Sequence, residues 1–145
     1  MNKLQEKIKK TFNEFDGKNL ESLNNFYSKK IVFEDPVTKV KGLENLKKYY
    51  SHAYKNVKSI SFDFDEIFHE GLNFAATWKM NVSVKGLNYG KKYSVPGISK
   101  FKFDEDDLVI EHRDYFDLGD MVYERLPVQG MLITFVKKML ARSGH

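Results

Sequence analysis

The chain has 145 residues, 41% hydrophobic and 14% aromatic, which suffices for one full core and is too short for two domains of ordinary size. It contains no cysteine, so disulfides and thiolate metal sites are excluded. Its 24 Lys and Arg are interspersed with 20 Asp and Glu, and the net charge of +4 falls on scattered pairs such as Lys9-Lys10, Lys29-Lys30, Lys47-Lys48 and Lys91-Lys92. No basic face of the kind that binds nucleic acid is gathered, so no nucleic-acid partner is expected.

In chain order, the spacing predicts a helix over 2–15, with Leu4, Ile8, Phe12 and Phe15 on one face. The opening MNKLQEKIKK is charged and lacks the apolar run of a signal peptide, and no run reaches the roughly 18 apolar residues of a membrane span. A cytoplasmic location is the expectation. Asp16-Gly17 ends the first helix, and Asn19 caps a short second one whose stripe is Leu20, Leu23, Phe26 and Tyr27. Residues 31–35 read as a short strand stopped by Pro36. Gly42 precedes a third helix over 43–55, with Leu43, Leu46, Tyr49, Tyr50 and Ala53 inward.

The hydrophobic period then changes from about 3.6 to 2. Ile60, Phe62 and Phe64 alternate with polar residues, and so do Phe74, Ala76, Trp78, Met80, Val82 and Val84. Gly86–Gly90 reads as a hairpin loop, 91–103 as a returning strand with a bulge or bend at Pro96-Gly97, and 108–116 as the last strand. Helices followed by a meander of strands predict an α+β fold: a cone-like, curved antiparallel sheet with N-terminal helices over its concave face. A C-terminal helical extension follows, with a short helix over 117–126 and a second over 131–142. The second carries an apolar face of Met131, Leu132, Phe135, Val136, Met139 and Leu140. That face suits docking on its own domain or a second subunit; a membrane surface is the less favoured partner.

Strand parity supplies the functional clue. Leu108, Ile110, His112, Asp114 and Phe116 share one face, and Val109, Glu111, Arg113 and Tyr115 share the other. The first set begins and ends apolar, so it is expected inward, although Val109 and Tyr115 also tolerate burial. An imidazole and a carboxylate inside a core are costly without partners and suit acid–base chemistry. A His–Asp pair that only braces the strand is the structural alternative. By the same parity Ile31, Phe33 and Asp35 share a face, which brings Asp35 to the cavity rim, with a turn role as its alternative. Asp114, His112 and Asp35 are thus the catalytic candidates. Tyr27, Tyr50, Trp78, Met80, Ser99, Phe101 and Phe116 are the expected substrate-binding residues. The four histidines show no i, i+4 pair and there is no Gly-rich phosphate loop, so no metal and no cofactor is expected. His112-Arg113-Asp114 matches the start of a kinase catalytic loop, but the chain is far too short for that fold.

The order helix, helix, Ile31–Pro36, helix and four long strands resembles the nuclear transport factor 2-like superfamily, which includes ketosteroid isomerases, SnoaL-like cyclases and limonene-epoxide hydrolases. The resemblance assigns 1–120 to that domain and 121–145 to a helical extension of it. Leu20–Pro36, ending Val32-Phe33-Glu34-Asp35-Pro36, is similar to the ketosteroid isomerase segment that ends in a catalytic base, which implies that role for Asp35; the corresponding donor positions hold Thr11 and Ser99. Arg113–Leu118 resembles the epoxide hydrolase segment and implies water activation by Asp114, while Lys79-Met80-Asn81 stands where that family has Arg-x-Asp. Dimerisation through the outer sheet face is implied in the same way, hence a homodimer. Three functions follow as expectations. The first is isomerase- or cyclase-like acid–base chemistry on a small hydrophobic, cyclic molecule. The second is non-catalytic binding of such a molecule, and the third is a dimerising accessory domain.

Overall fold

The structure, a computed structural model, describes residues 2–126 and 135–141. Helix α1 (Lys3–Glu14) starts on a capping box: the Asn2 side chain accepts from the Leu4 N–H, and the Gln5 side chain reaches back to the Asn2 N–H. Its Leu4 and Ile8 are buried. The expected second helix is a 3₁₀ segment, Leu20–Asn25, and it ends earlier than its apolar stripe suggests. Phe26 and Tyr27 satisfy helical spacing, yet the chain is already extended at Tyr27. Strand β1 runs Tyr27–Glu34, and a short β2 (Lys39–Lys41) that the sequence did not signal returns beside it. Helix α2 covers Leu43–Ala53, then β3 (Val57–Glu70), β4 (Asn73–Val84), β5 (Tyr93–Phe103) and β6 (Val109–Phe116) follow.

The six strands form one sheet in the order β2-β1-β6-β5-β4-β3. Four of the five pairings are antiparallel, as expected; β1 and β6 pair parallel, which the meander pattern had no means to show. This parallel join closes β1 onto the last strand and brings Phe33 beside His112. Alternation on β4 holds from Phe74 to Val82, with Phe74, Ala76, Trp78, Met80 and Val82 buried; it breaks at Ser83, which is also buried and bonds the Gly90 carbonyl. Pro96-Gly97 is not a bulge: the β4–β5 register runs unbroken from Asn73–Lys102 to Val82–Tyr93. The irregularities lie elsewhere: within β3 between Val57 and Ser59 and between Phe64 and Ile67, between Tyr27 and Val32 where β1 meets β6, and between Lys102 and Phe103 where β5 meets β6. The last of these explains why Val109 is fully buried although His112 and Asp114, of opposite parity, also point inward.

After β6, α3 (Leu118–Met121) and a 3₁₀ turn (Tyr123–Arg125) replace the single helix expected over 117–126. Residues 135–141 are helical, and Lys137 in them bonds Asp117 at 3.3 Å and Glu124 at 3.2 Å. The expected stripe residues Met131 and Leu132 lie outside the described residues. Among the described residues no helix is long and apolar enough to cross a membrane.

Candidate active site

The concave face of the sheet, α2 and α3 enclose a cavity of about 280 Å³. Its wall is built by alternation. Trp78, Met80, Val82 and Val84 come from β4, Ile60, Phe62 and Phe64 from β3, and Ser99, Asp114 and Phe116 from β5 and β6. Helix α2 adds Tyr49, Tyr50 and Ala53, followed by Tyr54, while Leu118, Met121 and Val122 close the side nearest the chain end. Apolar and aromatic groups dominate. Among the described residues the charged groups on this wall are two carboxylates, Asp35 and Asp114.

Asp114 ends a continuous chain of buried and half-buried hydrogen bonds. Trp78 Nε1 donates to Ser99 Oγ at 2.9 Å, and Ser99 Oγ donates to Asp114 Oδ1 at 2.5 Å. His112 Nε2 meets the same Oδ1 at 2.6 Å, His112 Nδ1 meets the Tyr27 hydroxyl at 2.7 Å, and Tyr27 meets the Tyr50 hydroxyl at 2.8 Å. Sheet register creates this contiguity. Ser99 lies opposite Asp114 on neighbouring strands, and the imidazole sits between Phe33 on β1 and Phe101 on β5.

The direction of the protons follows from counting donors. If Tyr50 donates to Tyr27, and Tyr27 to Nδ1, then Nε2 carries the imidazole proton and donates it to Asp114, so every proton has an acceptor. In the reverse direction the Tyr50 hydroxyl has no acceptor among the described residues. Counted over the protein's own groups alone, the chain therefore runs toward Asp114. Burial pushes the hydroxyls of Tyr27 and Tyr50 well above the usual tyrosine range; donation to Tyr27 raises Tyr50 further. Both bonds to Asp114 converge on Oδ1. Among the described residues no hydrogen bond reaches Oδ2.

Asp35 is held differently. Its Oδ1 accepts from the N–H groups of Val37 and Thr38 at 2.8 and 3.0 Å, a turn role, and the Tyr49 hydroxyl donates to Oδ2. Burial first, and the Asp35 carboxylate second, push the Tyr49 hydroxyl up. Asp35 therefore lines the cavity with both oxygens already engaged.

Of the expected site residues, Asp114, Asp35, Tyr50, Trp78, Met80, Ser99 and Phe116 share this wall. Three do not. His112 is 2% exposed and stands behind Asp114, so it does not touch a molecule in the cavity. Tyr27 is buried one bond further back, and Phe101 packs against the imidazole, tilted by 41° with ring centroids 4.4 Å apart, rather than lining the cavity. Thr11 bonds the Lys7 carbonyl within α1. Lys79 and Asn81 point to the outer face, where Asn81 bonds Asp63 and Ser94, so the epoxide hydrolase pair has no counterpart inside. Tyr54 was not anticipated. It lines the cavity, and among the described residues its hydroxyl makes no hydrogen bond. Burial, then the Asp114 carboxylate, push that hydroxyl up. Its spacing from Tyr50, one helical turn on, was the available signal.

A curved, unclosed sheet wrapped around helices and an apolar cavity is the nuclear transport factor 2-like cone, the fold of ketosteroid isomerase-like proteins. The chain belongs to the SnoaL-like domain family, whose sequence profile matches residues 8–112. Among solved structures it is similar to a candidate SnoaL-like polyketide cyclase from Shewanella putrefaciens CN-32, with 20% identity, a TM-score of 0.72, and coverage of 83% of this chain and 94% of that one. A second candidate cyclase of that kind, from Jannaschia sp. CCS1, gives 16% identity, a TM-score of 0.71, and coverage of 81% and 88%. A ketosteroid isomerase-like protein from Catenulispora acidiphila, solved in complex with trimethylamine, gives 15%, 0.67, 77% and 86%. These likenesses establish the fold. No curated protein sequence matches the chain.

Proposed function

We propose that this protein binds a small hydrophobic, cyclic molecule in the cavity and moves a proton on it, in the manner of an isomerase or cyclase, with Asp114 as the base. One observation carries the reading: Asp114 is fixed through Oδ1 by Ser99 and His112, and among the described residues no donor reaches its Oδ2 on an apolar wall. A carboxylate so placed is oriented without being saturated, which is what a general base needs. His112 acts through Asp114 as a positioning residue. The Tyr54 hydroxyl is a donor available to a developing oxyanion. Asp35 is the weaker base candidate because its oxygens already hold three neighbours' protons. Membership of the SnoaL-like family supports cyclase or isomerase chemistry in general terms.

The test is exchange of ring protons. A panel of cyclic ketones is incubated with the protein in D2O and followed by NMR. Exchange is expected with the wild type and should fall by at least about 10²-fold in Asp114→Asn, the usual scale of a general base. Exchange that survives in both Asp114→Asn and Asp35→Asn would remove the assignment. Binding without exchange would favour the second reading, a non-catalytic carrier, which the apolar dominance of the wall supports.

A further inference from the structure

The charge of the cavity wall is opposite to that of the protein. The chain carries 24 Lys and Arg and a net charge of +4. Yet among the described residues no Lys, Arg or His lines the cavity, whereas Asp35 and Asp114 do. Low-dielectric walls focus such a field on whatever enters. We infer that the cavity selects apolar ligands that carry a positive charge, namely protonated or quaternary amines with a body of about one or two rings.

Three features support this class of ligand. First, the charged groups on the cavity wall among the described residues are the carboxylates of Asp35 and Asp114, and no Lys or Arg stands beside them there. Second, Oδ2 has no protein donor among the described residues, so its partner has to come from solvent water or from a ligand. A neutral hydrocarbon that displaces this water strips a carboxylate of its partner, which is unfavourable; a cation replaces what it removes. Third, the wall around the two carboxylates is aromatic, with Tyr49, Tyr54, Phe62, Trp78 and Phe116 among its rings. Ring faces attract organic cations, and desolvation strengthens that attraction. The volume of about 280 Å³ sets the size of the hydrocarbon body.

This inference rests on the reading of the cavity as a ligand site and specifies what that site takes. Its test separates the two. Trp78 is the single tryptophan of the chain and lies on the wall, so its fluorescence reports occupancy. The probes are benzyltrimethylammonium, a cation that cannot lose a proton, and neopentylbenzene, the same shape with carbon in place of nitrogen. The ammonium is expected to bind at least about tenfold more tightly than the neutral isostere at low salt. The preference should shrink toward unity in Asp114→Asn, and less so in Asp35→Asn. Equal or tighter binding of neopentylbenzene by the wild type would overturn the inference while leaving the hydrophobic ligand site intact. Failure of both probes to bind would remove the ligand site and the inference with it. The wild-type comparison needs no variant to fold.

Discussion

The indole of Trp78 occupies the space that a side chain at residue 97 would need. A Cβ built on Gly97 would come within 2.2 Å of Trp78 Cη2. The two residues are direct partners across β4 and β5, and the ring held over Gly97 is the one that bonds Ser99 and walls the cavity. Gly97→Ala is therefore expected to push the indole out of its seat. The stability loss should be about 1–3 kcal/mol, the usual scale of overpacking, and Trp78 emission should shift. Urea unfolding followed by tryptophan fluorescence measures both. An unchanged midpoint together with an unchanged emission spectrum would contradict the packing described.

Tyr27 and His112 are 85 positions apart in sequence and 2.7 Å apart in space. Because each supplies the other's buried partner, their substitutions should not add. Tyr27→Phe leaves Nδ1 of His112 without its donor, and His112→Leu leaves the Tyr27 hydroxyl without an acceptor; each is expected to destabilise by about 1–3 kcal/mol. The double variant should cost less than the sum, with a coupling of about 0.5–3 kcal/mol. Strict additivity in denaturant unfolding would show that the bond contributes nothing.

That pair also marks the limit of what was legible in the sequence. Period-2 alternation located β4 as far as Val82, and parity turned His112 and Asp114 inward, although the bulge that also buries Val109 on the opposite parity left no such mark in the sequence. Asp35 was legible as a rim residue by the same parity. Tyr27 was misplaced on a helical stripe, since Leu23, Phe26 and Tyr27 fit a 3.6 period while tertiary pairing with β6 draws Tyr27 into a strand. Its contact with His112 depends on a parallel join between the first and last strands. No local pattern encodes that join. Gly97 was read as a bend because a glycine after proline suggests one; its actual reason is a ring on the neighbouring strand. Pro96 is tolerated because it falls just beyond the last β5–β6 pair, Gly97–Phe116, where one flank of β5 is open.

The buried hydroxyls make the fold sensitive to alkali. Burial raises Tyr27 and Tyr50 above the ordinary tyrosine value of about 10, so the unfolded chain loses these protons at a pH where the folded chain keeps them. The unfolded state then binds fewer protons, and stability falls as pH rises. The contribution is fully present below about pH 10 and is lost above it, at a slope of up to about 1.4 kcal/mol per pH unit for each tyrosine. Tyr50→Phe should lower the slope measured by urea unfolding between roughly pH 10 and 11.5, with no comparable change at neutral pH beyond a constant offset. A variant whose slope equals that of the wild type would show that Tyr50 ionises as freely folded as unfolded.

Arg113 sits between His112 and Asp114 in sequence but on the opposite face of β6, where it is 52% exposed, pairs with Glu34 at 3.1 Å and stacks over Tyr115 at 4.7 Å. The charge pair and the ring are both open to solvent, and such contacts are screened by water and salt. In an isolated chain Arg113→Ala should therefore change stability by no more than about 0.5 kcal/mol, in contrast to substitutions one residue away on the inner face. The comparison also addresses the homodimer expected through the outer face. If a second copy covers Arg113, the pair with Glu34 is desolvated and its loss becomes costly. The effect of the variant would then grow with protein concentration, because association stabilises by mass action. Unfolding curves at low and high micromolar protein distinguish the cases. A small effect independent of concentration places Arg113 on a free surface, and a concentration-dependent loss above about 1 kcal/mol places it in a subunit contact.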